Sequence, residues 1–388
     1  MKNRTVLLYM TFVFLSNFST ILYFLTVYLE FVGFSMVAIS SMMIAYQVSK
    51  FILEVPTGYG YIADRFGRKT SGLVGVVGML GYYAALLFAR SPLLLIGAFA
   101  LKGFAVACVS GSIEAIYIDS VSQDQLVRLN VVERFVFYAS YAISACVGGF
   151  ISSVGAYLIG LSADIIAMVL TLVVVACIPE MRRGDTATTP KRGISPKMIG
   201  AAIARNGILR SAFIMDCSQA FAFVALEDFF SLLLAGRGMN AVASGVTIAV
   251  QLLASASMGL IVPSVIAHVD KGRFARICGI VRLFLTALFL IPFTPVYLLP
   301  VFYVLQTVAY SLFAPIKYSI FQNAVDSSMR CSLISVQSQM VAVGAILFYL
   351  FNAALSSIAG IRVILLVALG ISSLVYIPAL FRLTSQRP

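Results

Sequence analysis

An all-α integral membrane fold built from two six-helix halves follows from three features of these 388 residues. The chain is 61% hydrophobic and 11% charged, with a mean hydropathy of +1.01. A soluble domain is about 25% charged, and no globular core absorbs this much apolar surface, so the solvent for most of it is lipid. Apolar runs recur along the whole chain, each near the roughly 20 residues that a helix needs to cross a bilayer. The longest polar stretch falls at mid-chain, from Pro179 to Arg205.

Gly, Pro and charge punctuate the apolar runs into twelve candidate helices. They cover 5–29, 36–61, 70–89, 92–118, 130–153 and 156–178, then 206–234, 241–266, 274–292, 296–321, 331–355 and 360–381. The first is too long for a signal peptide and lacks its small-residue cleavage site, so it is expected to stay in the mature protein. Residues 1–179 and 206–388 make the two halves. The stretch 180–205 joins them, too short for a domain, with Pro190 and Pro196 and the cations Arg182, Arg183, Lys191, Arg192, Lys197 and Arg205; it reads as a cytoplasmic linker. With both termini cytoplasmic, most of the 27 Lys and Arg fall on the cytoplasmic face, and the opposite face keeps only Arg90, Arg237 and Arg362. The positive-inside rule selects that orientation.

The net charge of +12 is spread over these loops and forms no patch, so nucleic acid is not an expected partner. The six cysteines (Cys108, Cys146, Cys177, Cys217, Cys278 and Cys331) contain no C-x-x-C pair and suggest neither a disulfide framework nor a metal site. The single histidine, His268, lies at a loop edge, and a Ser-His-Asp triad at membrane depth has no histidine to use.

Between the second and third candidate helices lies Pro56–Ser71, in which Gly60, Asp64, Arg65, Gly67, Arg68 and Lys69 form G-x-x-x-D-R-x-G-R-K. A glycine four residues before Asp64 permits close helix approach, and an acid at a helix end needs a cation or a helix N-terminus beside it. Gly67 turns the chain, and the cations suit an anionic lipid surface. This stretch resembles the loop signature of the major facilitator superfamily. The resemblance implies two six-helix bundles related by a pseudo-two-fold axis, with a substrate site between them near mid-membrane. Asp270–Arg276 holds the equivalent place in the second half, like a decayed copy, and Asp326–Arg330 echoes Asp119–Asp124. Glu54–Gly58, and Ser110–Glu114 with Tyr117 and Asp119, resemble a subgroup of bacterial facilitators. The fifth helix keeps only the final glycine pair, Gly148–Gly149, of the motif that marks drug–proton antiporters.

Charges inside spans cost several kcal/mol and need a partner, water or a function. Lys50 and Glu54 are four apart and either neutralise each other or leave Lys50 facing the cavity. Lys102 in the fourth helix either snorkels outward or meets an anion. In the seventh helix, Asp216 and Glu227 are eleven apart and share one face of a regular helix, with Asp228 turned about 100° away. Arg282 in the ninth is a charge partner for one of them, and Lys317 in the tenth is expected to snorkel. Glu114 and Asp119 lie toward the cytoplasmic end of the fourth helix. The family resemblance implies that Asp119 joins the loop charges, bridging to Arg65 or Arg68, in a latch made by Gly60, Asp64, Arg65, Gly67, Arg68, Lys69 and Asp119. It also implies a membrane-depth carboxylate as proton carrier. The charges at membrane depth themselves mark Lys50, Glu54, Lys102, Glu114, Asp216, Glu227, Asp228 and Arg282 as the expected substrate or proton pathway.

These expectations describe a secondary active transporter of the bacterial plasma membrane, not an enzyme, working as a monomer among membrane lipids. It uses no cofactor and draws on the proton gradient. The first expectation is proton-coupled export of a small amphiphilic compound. The alternatives are uptake of an anionic nutrient or siderophore-like compound, clamped by Lys50, Lys102 and Arg282, and a non-transporting receptor or assembly protein.

Overall fold

A computed structural model describes residues 2–54, 67–110, 112–179, 196–325 and 329–385, with no strand among them. Among the described residues, eleven segments are long and apolar enough to cross a membrane. They are span 1 (Arg4–Phe31), span 2 (Met36–Leu53), span 3 (Arg68–Phe88), span 4 (Pro92–Ser120), span 5 (Arg128–Ser153), span 6 (Tyr157–Cys177), span 7 (Gly207–Ala235), span 8 (Ala241–Ile266), span 10 (Val296–Asn323), span 11 (Ser332–Leu355) and span 12 (Ile361–Ser385). Span 9 is the helix Lys271–Leu290, whose 20 residues reach about 30 Å and whose four cations lower its hydropathy. With span 9 counted, the twelve spans alternate in direction, so the described ends Lys2 and Ser385 fall on one side, the terminal face. A further amphipathic helix, Pro196–Arg205, leads into span 7.

The packing repeats with an offset of six spans. Span 1 packs on spans 5 and 6 as span 7 does on spans 11 and 12. Spans 2 and 4 pair as do spans 8 and 10, and span 3 packs on spans 4 and 6 as span 9 does on spans 10 and 12. The halves meet where span 2 packs on span 11, span 5 on span 8 and span 1 on span 7. The offset exchanges the first two contacts and returns the third to itself, as a two-fold axis between two bundles requires. Large apolar side chains such as Leu94, Phe150, Leu260 and Leu374 point outward, where lipid rather than water is their solvent.

Three candidate helices differ from simple rods. Span 1 is helical to Asn17, loses its helix at Phe18–Ile21, and resumes through Leu22–Phe24 into Leu25–Phe31. Span 4 consists of Pro92–Val109 followed by Ser112–Ser120. Span 7 contains a π-helical turn at Ala220–Val224. That turn inserts one residue into the register and rotates the rest of the span by roughly 100°. The shared face expected for Asp216 and Glu227 is therefore lost.

Candidate functional site

The two halves are joined on the side away from the terminal face. There Asn352 Nδ2 of span 11 donates to Ser40 Oγ of span 2 at 2.9 Å, and Thr26 Oγ1 of span 1 donates to the Asp228 carbonyl oxygen of span 7 at 2.9 Å. Spans 5 and 8 touch through backbone. A Cβ on Gly245 would stand 2.3 Å from the Ala145 carbonyl oxygen, and one on Gly149 would stand 2.7 Å from that of Ala241. On the terminal side the first half has its own apolar cluster around Tyr9, Ile113, Tyr117 and Val175, separate from the core that runs through both halves.

Between the halves, span 7 supplies the acids. Glu227 lies deep in the protein, yet its side chain is open to solvent, which puts it on a cavity wall. Arg282 is within its electrostatic reach, but the two form no ion pair. Tyr23, edge-on to Tyr141, is also within reach of Glu227. Asp228 accepts a hydrogen bond from the buried Tyr349 hydroxyl and lies in reach of Lys102. Lys102 does not snorkel to the outer surface. Its ammonium sits 5.1 Å from the Tyr46 ring centroid and 4.9 Å from that of Tyr82, where aromatic quadrupoles and Asp228 compensate it better than a distant interface.

Arg282 of span 9 is 3% exposed. Its guanidinium lies 3.6 Å from the Phe223 ring centroid and 4.1 Å from that of Tyr310, and Nε donates to Gln306 Oε1 at 3.3 Å. Its Nη1 has no hydrogen-bond partner. Phe223 sits in the π turn of span 7, so the register shift supplies one face of this stack. Asp216, on the terminal side of the same turn, forms a buried ion pair with Lys317 of span 10 and accepts from Gln337 Nε2 of span 11 at 2.8 Å. Both charged side chains are 6% exposed. Lys317 thus corrects the expectation of snorkelling, because a carboxylate one helix away is closer than the interface.

At the terminal face Gly67 takes φ +92° and starts span 3, a left-handed conformation that favours glycine. Arg68 donates to Asp119 at 2.6 Å, both partly exposed, and Lys69 donates to the Ala176 carbonyl oxygen at the end of span 6 at 2.7 Å. Gly60, Asp64 and Arg65 lie outside the described residues, as does the Glu54 side chain. Lys50 is half-buried in span 2. Glu114 is exposed and within reach of Glu133 and Arg134, and Tyr9 donates to Glu133 at 3.0 Å.

One acid escaped the sequence reading. Asp164 of span 6 is fully buried and accepts hydrogen bonds from the break in span 1. Its signal was available: it is the sole charged residue between Tyr157 and Cys177.

Two pseudo-symmetric six-helix bundles, with the deeply placed but open Glu227 side chain between them, have the architecture of a membrane transporter. The chain belongs to the major facilitator superfamily, whose family model matches residues 7–295. No curated protein matches it. Among solved structures, the nucleoside transporter NupG aligns with 100% of this chain and 99% of its own at a TM-score of 0.78 and 13% identity. The inward open xylose transporter XylE from E. coli covers 98% and 96% at a TM-score of 0.72 and 10% identity. A bacterial homologue of the iron transporter ferroportin, in an inward-facing state, covers 98% of both chains at 0.67 and 13%. Likeness at these identities is of fold alone.

Proposed function

We propose that this chain couples the proton gradient to export of a small amphiphilic compound across the bacterial plasma membrane, with Glu227 as the proton carrier. The observation that carries the reading is Glu227 itself: a carboxylate deep in the protein, open to the cavity, and without an ion-pair partner among the described residues. A carrier must exchange protons with water and respond to a nearby charge, and Arg282 supplies that charge. Asp216 suits the task less, since Lys317 and Gln337 already hold it. Tyr23, Tyr46 and Tyr141 offer aromatic surface for an amphiphile, and Asp228 and Lys102 offer polar contacts. In this reading both termini are cytoplasmic, and the Arg68–Asp119 bridge supports a conformational latch at the loop between spans 2 and 3.

Uptake of an anion is the second reading, favoured by the unpartnered Nη1 of Arg282. The stacking of that guanidinium between two rings weighs against it.

Thermal stabilisation of the purified protein, across amphiphilic amines, neutral aromatics and carboxylates, selects a probe for flux measurements in proteoliposomes. Glu227→Gln should lose gradient-driven movement of that probe and keep exchange at equal pH on both sides. Unchanged gradient-driven flux would remove Glu227 as the carrier, and stabilisation by carboxylates alone would favour the anion reading.

A further inference from the structure

The break in span 1 is held by neighbouring spans rather than by its own sequence. Backbone N–H groups freed by a helix break need partners, above all where no water is at hand. Thr20 N donates to Asp164 Oδ1 at 2.7 Å and Ile21 N to Oδ2 at 3.2 Å. The hydroxyls add to this: Thr20 Oγ1 donates to Oδ1 at 3.0 Å and Ser19 Oγ to Oδ2 at 3.2 Å. Ser19 N donates to Ser144 Oγ of span 5 at 3.1 Å. Asp164 is 0% exposed. Each of its oxygens thus serves one backbone and one hydroxyl donor.

The socket around the break is cut to backbone dimensions. A Cβ on Gly160 of span 6 would stand 2.9 Å from Thr20 Oγ1, and one on Gly148 of span 5 would stand 2.1 Å from the Thr20 carbonyl oxygen. The next residue, Gly149, meets Ala241 and Gly245 of span 8 across the interface between the halves. Two adjacent glycines, about 100° apart around the helix, therefore hold the break on one side and the opposite bundle on the other. Beyond the break, the short helix Leu25–Phe31 reaches span 7 through Thr26 and the Asp228 carbonyl.

We propose that Asp164 is the positioning residue of the outer gate. Its clamp on Thr20 and Ile21, together with Gly148–Gly149, ties spans 1, 5 and 6 into one unit that closes as a body on spans 7 and 8. The unit is rigid because both carboxylate oxygens accept. An asparagine presents one accepting oxygen and one NH2, so one pair of donors faces a donor, and the break loses its fixed angle. The outer contacts through Thr26 and Gly149 then no longer form together. The inference does not use Glu227 and stands whether or not protons drive transport.

The test places spin labels at Val37→Cys and Ser357→Cys, on the outer ends of spans 2 and 11, in the full-length protein in nanodiscs with its native cysteines replaced. Asp164→Asn should raise the ratio of outer-open to outer-closed distances at least about fivefold, the low end of ordinary conformational coupling. Thr20→Val with Ser144→Ala, which spares the backbone bonds to Asp164, should shift the ratio in the same direction by less. This pair decides the question if Asp164→Asn does not fold. Gly245→Ala opens the same contact from span 8, and combined with Asp164→Asn it should give less than the product of the separate shifts, because both disturb one unit. A purely structural Asp164 would lower thermal stability and leave the distances as in the parent. That result, or a fully multiplicative double variant, overturns the proposal.

Discussion

Removing Lys317 while leaving Asp216 in place tests whether the buried pair between spans 7 and 10 is an internal tie. Each side chain is 6% exposed, so screening by solvent gives no relief. Breaking a buried pair by deleting one partner costs about 3–5 kcal/mol, chiefly because the remaining charge is stranded. Gln337 still donates to Oδ2 of Asp216 after the deletion, which places the expected loss near the lower bound, about 3 kcal/mol. Lys317→Met should therefore reduce the folded-to-unfolded ratio by roughly 150-fold. Combining it with Asp216→Asn keeps an acceptor for Gln337 and strands no charge, so the double variant should recover about 2 kcal/mol of the loss. The protein has no tryptophan, so helix content by circular dichroism during reversible denaturation in mixed micelles is the suitable readout. A loss below about 1 kcal/mol for Lys317→Met is what an exposed pair gives. It would refute the buried tie and restore a lysine that reaches the interface.

Three further outcomes are expected. Gly245→Ala puts a methyl 2.3 Å from the Ala145 carbonyl oxygen, and overpacking of that kind costs about 1–3 kcal/mol; outer-face accessibility to a thiol reagent should rise about 5- to 150-fold, and unchanged accessibility would show that spans 5 and 8 need not touch. Arg68→Ala should change global stability by less than about 1 kcal/mol, since the Arg68–Asp119 pair is partly exposed, while slowing transport if the bridge acts only in one conformation; a large stability loss would make it a structural strut. Single cysteines at Thr70 and Ser357 should react with an impermeant reagent from the cytoplasmic and the outer side respectively, and labelling of both from one side would remove the twelve-span topology.

The sequence by itself determined the all-helical membrane class and the two-bundle fold. Hydropathy is a sum over local residues, and the bilayer fixes the length over which that sum must stay apolar, so such features need no knowledge of neighbours. The pairing of Arg68 with Asp119 was legible only through the family resemblance, which places an acid at that end of the fourth helix beside the loop cations. What only the tertiary structure decided was the partner of each buried group and the shape of the helices that carry them. The run Ala220–Val224 reads as ordinary apolar helix, yet its π turn moves Glu227 off the face of Asp216 and places Phe223 under Arg282. Ser19 and Thr20 scarcely lower the hydropathy of span 1, yet the chain breaks there because Asp164, more than a hundred residues away, accepts the freed donors. Lys317 lies near a helix end, where snorkelling costs little, but span 7 brings Asp216 against it. In each case the deciding energy is a contact between helices, and a one-dimensional pattern holds the faces of single helices but not the pairs in which those faces meet.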